Sequence, residues 1–446
     1  MEENTIFAPL TIKGRCSVYL IRISGKKTLE CLKFLGVAKK LEDKKATLCK
    51  IKDNDNNVLD EALITFFKEP NSFTGEDVCE ISLHCSSYII NTVFNILLNV
   101  EGVRLAEHGE FSKRAFINNK LDLTQAEAIN DLINSETKLQ HRQAIEQLEG
   151  KNSKFFENMR KNILDINSYI ESMIDFPEDD IDESILEKAK NKIDNLTENI
   201  RNILNDNMVG EKIKKGLNIS IIGEPNVGKS TFFNFLAKKD IAIVSNIEGT
   251  TRDILQICLD INGIPVNFSD TAGIRETTDI IEKEGVKRAI ENAKNADLRI
   301  LLLSPEKYEI NENFKNIIDD NTLVIFNKID LINNDEFEKI KKNLKNKNII
   351  GISLKDNINT TAIFSYLNNY IDKAITPYIG TNITQERYRK ELKQALEFLE
   401  NVNFNLPIEI IAENIRKANF CVGKITGQIN TDEILNNIFE KFCIGK

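Results

Sequence analysis

Gly223-Glu224-Pro225-Asn226-Val227-Gly228-Lys229-Ser230-Thr231 decides the fold. The stretch reads G-x-x-x-x-G-K-S, the pattern of a phosphate-binding loop. Before it, Leu217-Asn218-Ile219-Ser220-Ile221-Ile222 is dense in β-branched apolar residues and reads as a strand. After it, Thr231-Phe232-Phe233-Asn234-Phe235-Leu236-Ala237 reads as the start of a helix. Strand, glycine-rich loop and helix are the context that makes the pattern a phosphate site. Glycines let backbone N–H groups curl round phosphate oxygens without a Cβ in the way, and the helix N-terminus adds partial positive charge. Lys229 neutralises the β- and γ-phosphates, and Ser230 offers its hydroxyl to Mg²⁺. Val227, Gly228 and Thr231 complete the set around the phosphates.

Four further stretches follow in the order a GTPase requires. Asp270-Thr271-Ala272-Gly273 comes after a predicted strand; Asp270 can hold Mg²⁺ through water, and the Gly273 N–H can meet the γ-phosphate. Asn327-Lys328-Ile329-Asp330 also ends a strand. A carboxylate there accepts from guanine N1–H and the 2-amino group, which adenine lacks, so GTP is expected rather than ATP. Ser353-Leu354-Lys355 matches the loop that backs the guanine, with Leu354 where Ala is usual. Gly249-Thr250-Thr251-Arg252-Asp253 sits where a switch loop belongs, and Thr251 can ligate Mg²⁺. The residue after Gly273 is Ile274, and an aliphatic side chain cannot orient the attacking water. Hydrolysis must therefore recruit other groups. Asn226 can hold a cation such as K⁺ beside the phosphates, where it would neutralise developing charge. Glu282 reads either as a water-positioning group or as an ordinary exposed helix carboxylate.

The chain has 446 residues, enough for about three domains. Residues 1–118 read as mixed α/β: strands over 16–24, 62–67 and 78–83, a short helix over 29–35, and a turn-rich loop over 70–77. From Asp122, which can form a capping box with Gln125, the period becomes helical, with Leu123, Ala126, Ile129 and Ile133 on one face. Helices continue over 119–213, interrupted at Pro177 and the acidic run Glu178-Asp179-Asp180. Residues 214–376 form the nucleotide domain, with strand signals at Ile219, 241–244, 254–261, 264–268, 298–303, 323–326 and 349–352. Asn262-Gly263 marks a hairpin within it. Helical pattern returns over 377–446, with Pro407 at one helix start and Thr431 capping a last helix over 432–442. The expected fold is α/β and α multidomain: an N-terminal α/β domain and a discontinuous helical domain with a Ras-like P-loop GTPase domain inserted in it.

Composition narrows the partners. Lys and Arg number 59 against 68 Asp and Glu, a net charge of -9, so any RNA contact must use a local patch or a partner. Met1-Glu2-Glu3-Asn4 is acidic with no apolar stretch behind it, so no secretory signal is expected. No apolar run approaches a membrane span. The eight cysteines include no C-x-x-C pair and are expected to be reduced thiols of a cytoplasmic protein. His84, His108 and His141 lie far apart in sequence, so no zinc site is expected.

The phosphate loop with Gly249-Thr250-Thr251-Arg252-Asp253 resembles the Era-like branch of bacterial GTPases. Residues 70–77 with Glu80, together with Gly109-Glu110-Phe111-Ser112 and Lys120-Leu121-Asp122-Leu123, resemble the tRNA-modification GTPase MnmE (TrmE) family. Phe442-Cys443-Ile444-Gly445-Lys446 resembles that family's terminal Cys-x-Gly-Lys signature. The resemblance implies modification of the wobble uridine of certain tRNAs at carbon 5, with an aminomethyl or carboxymethylaminomethyl group, in a complex with the FAD protein MnmG (GidA). It implies a tetrahydrofolate derivative (5,10-methylene or 5-formyl) bound at an N-terminal domain that also dimerises, contacted by Arg22, Glu80, Lys120 and Lys446. It implies K⁺-dependent hydrolysis driven by GTPase-domain dimerisation, with Asn226, Ser245, the Ile247 carbonyl and Thr250 around K⁺. Asn246 and Glu248 belong to the same nucleotide-binding stretch, and Glu282 would position the water.

Cys443 reads either as a small buried apolar residue past a helix end or, beside Lys446, as a thiol in the uridine chemistry. His84-Cys85-Ser86-Ser87 replaces the family's usual His-Gly-Gly, which restricts the backbone there and bears on folate access. The alternative function is an Era-like switch in ribosome assembly, which shares the GTPase motifs but calls for a basic RNA-binding domain.

Overall fold

The computed structural model describes residues 4–11, 14, 16–175, 183–206, 208–239, 242–243, 256–270, 291–310, 312–315, 318–344, 348–375, 383–429 and 432–446. The chain forms two compact units. One comprises Met1–Asn130, Glu146–Lys192 and Glu397–Lys446; the other comprises Asp131–Ile145 and Ile193–Leu396.

The first unit is built on a six-stranded sheet in the order β3-β4-β5-β2-β1-β6. Its strands are β1 (Thr5–Pro9), β2 (Val18–Ser24), β3 (Ala46–Lys52), β4 (Val58–Phe67), β5 (Val78–His84) and β6 (Val103–Leu105). Only the β1–β6 pair is parallel. Along β2 the buried residues Tyr19, Ile21 and Ile23 alternate with Leu20 and Arg22, so one sheet face is apolar. Helices α1 (Thr28–Phe34) and α2 (Ser87–Leu98) cover that face with Cys31, Leu32, Val93, Ile96 and Leu97. The opposite face carries Arg22 and Glu80 and, farther across, the exposed Leu48 and Leu63, which are register partners.

After α3 (Glu110–Ile117) comes α4 (Leu123–Ile133). The capping box forms: the Gln125 N–H donates to Asp122 Oδ1 and the Asp122 N–H to Gln125 Oε1, each at 3.0 Å. Leu123 and Ala126 are buried in a cluster with Phe116, Leu435, Ile438, Phe439 and Phe442. The chain's end thus shares a core with the residues that follow the N-terminal sheet. Ile133 departs from the expected apolar face: at the last turn of α4 it is 45% exposed. The last helix is Asp432–Phe439, shorter than expected, and Phe442 is a buried anchor beyond its end.

Helix α5 (Lys151–Asp175) buries Phe156, Met159, Ile163, Ile166, Ile170 and Met173, a three-four spacing that makes one continuous seam. It packs along the helix Ile408–Thr426, which buries Ile411, Ile415, Ala418, Val422 and Ile425 at the same spacing. Each such isoleucine contributes about 1.5–3 kcal/mol of burial. Helices from before and after the nucleotide domain therefore build one element pair. Pro407 occupies the N-cap, as its position implies. The 178–180 acidic run, Pro377 and Thr431 lie outside the described residues.

The second unit holds a seven-stranded sheet in the order β13-β12-β11-β7-β10-β9-β8. These strands are β7 (Leu217–Gly223), β8 (Ala242–Ile243), β9 (Gln256–Ile261), β10 (Ile264–Asp270), β11 (Leu298–Leu303), β12 (Thr322–Phe326) and β13 (Ile349–Gly351). β13, β12, β11, β7 and β10 are parallel, and β9 and β8 are antiparallel additions. Every residue of β11 and β12 is buried, as a parallel sheet covered on both faces demands. The two coverings are separate cores, one around Ile219, Phe232, Phe268 and Leu367 and the other around Ile222, Leu301, Val324 and Phe326. Asn262 and Gly263 close the β9–β10 hairpin at φ 55° and 84°, the left-handed pair a two-residue turn needs.

Candidate functional site

The parallel register of the second unit brings the GTPase motifs to one sheet edge. β7 pairs with β10 so that Ile221 lies beside Asp270, and with β11 so that Gly223 lies beside Leu302. Leu303 then faces Phe326, and Phe326 faces Gly351. The loops that begin at Gly223, Asp270, Asn327 and Ser353 thus all leave the carboxyl ends of neighbouring strands, where ligands bind in open α/β sheets.

The loop after β7 turns into α6 (Lys229–Ala237) through Gly228, the N-cap at φ 104°. A Cβ on Gly228 would run into the Asn327 amide, so only glycine fits. Asn226 is left-handed at φ 70°, a conformation asparagine tolerates. Val227 is buried, while Asn226, Ser230 and Thr231 are exposed at the loop. The Lys229 ammonium donates to the carbonyls of Gly223 (2.8 Å) and Glu224 (2.9 Å), which holds it on the loop itself.

Asn327 ties two motifs to the third. It is buried; its Nδ2 donates to the Val227 carbonyl at 3.0 Å and its Oδ1 accepts from the Leu354 N–H at 3.3 Å. The sequence placed Asn327 in a base-binding motif but gave no sign of this bracing role. Lys328 is left-handed at φ 63° and pairs with Glu306 at 3.3 Å. Asp330 is exposed in the short turn Ile329–Leu331, free of the core and available to a base. Ser353 is buried and exchanges backbone hydrogen bonds with Ile358, while Leu354 packs on the core and Lys355 is exposed. Ser245, Asn246, Ile247, Glu248, Gly249, Thr250, Thr251, Thr271, Ala272, Gly273, Ile274 and Glu282 lie outside the described residues, as does the side chain of Asp270.

A second constellation lies in the first unit. Arg22 and Glu80 are register partners on β2 and β5, and the guanidinium donates through Nε (3.0 Å) and Nη2 (2.7 Å) to Glu80 Oε1. The guanidinium carbon lies 4.9 Å from the Phe73 ring centre and 5.6 Å from that of Phe111. Phe73 belongs to the 70–77 loop, which is pinned by two bonds: Lys120 Nζ donates to the Pro70 carbonyl and Asn118 Nδ2 to the Thr74 carbonyl. The Phe111 N–H donates to the Lys446 carbonyl at 3.1 Å. Residues 444 and 108 form an isolated antiparallel bridge, and His108 Nδ1 lies 2.9 Å from the Phe442 carbonyl. Gly445, at φ 99°, packs against the Pro9 carbonyl so closely that a Cβ there would overlap it. The terminal segment therefore seats on β1 and α3, next to the rings that flank Arg22. Cys443 is exposed, which overturns its reading as a small buried residue.

The loop is further held by ion pairs and a hydrogen bond, of which those to Glu76 join residues remote in sequence while those to Glu110 are local. Arg114 reaches both Glu76 (3.0 Å) and Glu110 (2.9 Å), and Arg104 grips Glu110 through two bonds of 2.8 Å. Ser24 Oγ donates to Glu76 at 2.6 Å. Burial alone would raise the Glu110 carboxyl, but Arg104, the Glu107 N–H and Arg114 outweigh it and hold it below the usual range.

Residues 5–120 match the family model described as GTP-binding protein TrmE N-terminus, and residues 123–443 match that of the MnmE helical domain. The tRNA modification GTPase MnmE of Rickettsia canadensis is 47% identical over 99% of this chain and 100% of its own length. The Rickettsia prowazekii protein of the same name is 47% identical over the same shares. The chain belongs to the MnmE family of tRNA modification GTPases. Among solved structures, Era of Aquifex aeolicus, bound to GDP and aluminium fluoride, is 27% identical over 34% of this chain and 56% of that chain, at a TM-score of 0.27. A likeness that slight adds nothing to the assignment. As an MnmE family member the chain is a GTPase acting in tRNA modification, and GTP is the nucleotide of the second unit's site. No helix among the described residues is long and apolar enough to cross a membrane.

Proposed function

We propose that this chain, with an FAD-dependent MnmG-type partner, adds an aminomethyl or carboxymethylaminomethyl group at carbon 5 of the wobble uridine of certain tRNAs. The one-carbon unit comes from a tetrahydrofolate derivative held by Arg22, Glu80, Lys120 and Lys446. The observation that carries this reading is the seating of the terminal Gly445-Lys446 beside the Arg22–Glu80 pair and its flanking rings. A planar heterocycle with N–H donors suits such a place, since aromatic rings offer stacking and a carboxylate accepts from the heterocycle's edge. Cys443, exposed next to this surface, is the thiol we assign to the uridine chemistry.

In the GTPase half, Lys229 would neutralise phosphate charge, with Val227, Gly228 and Thr231 round the phosphates. Ser230 and Thr251 would hold Mg²⁺ directly and Asp270 through water, while Thr271, Ala272 and Gly273 would face the γ-phosphate. Asn226, Ser245, the Ile247 carbonyl and Thr250 would hold K⁺, with Asn246, Glu248 and Gly249 in the same loop. Asp330 would read guanine, flanked by Asn327, Lys328, Ser353, Leu354 and Lys355, and Glu282 would position the water. Ile274 makes that last assignment necessary, because it cannot do so. The exposed Leu48 and Leu63 on the open sheet face support a homodimer through residues 1–118. The GTPase domain is read as 214–376, the helical domain as 119–213 with 377–446, and the compartment as the cytoplasm.

Reconstitution tests the proposal. Purified chain, active MnmG-type partner, tRNA, methylene-tetrahydrofolate and GTP should yield carbon-5-substituted uridine in K⁺ buffer and far less in Na⁺ buffer. No product in K⁺ with a partner proven active would refute it.

A further inference from the structure

The geometry points to Cys16 and Cys85 as a reversible dithiol–disulfide pair, an oxidation site on the first unit that the tRNA modification chemistry does not use. Cys16 precedes β2 and Cys85 follows β5, so both stand at the same end of two paired strands. The ladder pairs Val18 with His84, and one step beyond it the Cys85 N–H donates to the Ser17 carbonyl at 3.4 Å. The Cys85 thiol donates across to the Gly14 carbonyl at 3.2 Å, two residues before Cys16, and the Cys16 thiol donates to the Val18 carbonyl of its own strand at 3.3 Å. The two thiols are close enough to interact. That interaction, ahead of the slight burial, makes Cys16 hold its proton to higher pH than a lone thiol.

The backbone at Cys85 is fixed from below. Asp60 accepts from the His84 N–H at 2.9 Å and meets His84 Nδ1 at 2.7 Å. Cys85 is a half-buried thiol on a fixed backbone and Cys16 an exposed one on the adjoining connection, so an exposed, mobile sulfur can reach a held one. The remaining thiols do not compete. Cys31, Cys49, Cys79 and Cys421 are buried, and burial pushes Cys31 up to about 12 and Cys258 up to about 11. Cys443 is exposed but stands alone in the terminal segment.

The oxidant class is a small-molecule disulfide. The thiolate of one cysteine attacks its sulfur and releases one small thiolate, which takes a proton. The second cysteine, deprotonated, attacks the protein sulfur of the mixed disulfide and releases the second small thiol. Two protein thiols are oxidised, one disulfide is reduced to two thiols, and atoms balance. An exposed bridge of this kind is readily reduced again, which makes it reversible.

The full-length chain is equilibrated with graded ratios of oxidised to reduced glutathione, quenched in acid, alkylated, digested without reduction and read by mass spectrometry. A peptide pair joining Cys16 to Cys85, two hydrogens lighter than the free peptides and lost on adding reductant, is expected. Cys16→Ser should convert it to a glutathione adduct on Cys85, and Cys443 should give only the adduct throughout. GTP hydrolysis should be unchanged across the titration, because neither residue is near the phosphate loop in sequence or sheet. Separate adducts or free thiols at Cys16 and Cys85 in the fully oxidising mixture, with no joined peptide, would overturn the proposal.

Discussion

Gly445→Ala isolates the role of the terminal segment. Gly445 sits at φ 99°, where an L side chain is strained, and its Cβ would meet the Pro9 backbone carbonyl, which cannot swing aside as a flexible side chain can. Strain of this kind costs about 1–3 kcal/mol. Unseating also gives up the Phe111–Lys446 hydrogen bond, worth about 1 kcal/mol. A total of about 2–4 kcal/mol shifts the seated population roughly 30- to 1,000-fold, at 1.36 kcal/mol per decade. The fold should survive, because the anchor Phe442 is buried in a different cluster with Phe116 and Leu123. Hydrogen exchange of peptides covering 440–446 should therefore accelerate at least tenfold while the melting temperature moves little. GTP turnover should stay at the parent level, and tRNA uridine modification should collapse. Unchanged exchange at the C-terminus, or modification at the parent rate with the tail shown to be released, would refute the reasoning.

Other expectations follow from the same geometry. Arg389→Met strands the buried Glu211 and Asp206, which Arg389 now meets at 2.9 Å and 2.6 Å, and should cost about 3–5 kcal/mol in denaturant unfolding of the second unit. Asn327→Ala removes the bonds to Val227 and Leu354 and should weaken GTP binding about thirtyfold, at about 1 kcal/mol per bond, as read by nucleotide titration. The Glu110 carboxyl is depressed in the fold, so its stabilisation is complete above its unfolded value of about 4.3 and is lost as pH falls through the lower folded value. Thermal melts of the chain should show this acid loss, and Glu110→Gln should flatten it. Glu282→Ala should leave GTP affinity intact and lower hydrolysis at least a hundredfold in single-turnover assays, since the water-positioning role we propose acts on the chemical step.

The nucleotide fold was legible because its signals are local. The phosphate loop needs its glycines at fixed offsets, the Asn262-Gly263 turn needs two left-handed residues, and β11 and β12 are unbroken apolar runs. The first sheet was only half legible. β1, β3 and β6 escaped notice: β6 is three residues long, and β3 mixes Lys50 and Lys52 into an edge strand with one face open. Helix α2, Ser-Tyr-Ile-Ile-Asn-Thr-Val-Phe, is rich in β-branched and aromatic residues; it is helical because Val93, Ile96 and Leu97 must share the face that covers the sheet. The terminal helix stops before Phe442 because that residue turns into the core. The Arg114–Glu110 pair follows the i,i+4 period of its helix, but the bonds from Arg114 and Ser24 to Glu76 depend on tertiary proximity alone, and no sequence period encodes them.

The central claim is most directly tested by nucleoside mass spectrometry of bulk tRNA from cells depleted of this protein. The account predicts loss of carbon-5-substituted wobble uridines, restored by the parent gene but not by Gly445→Ala or an Arg22→Met variant. An unchanged uridine profile in depleted cells would contradict it.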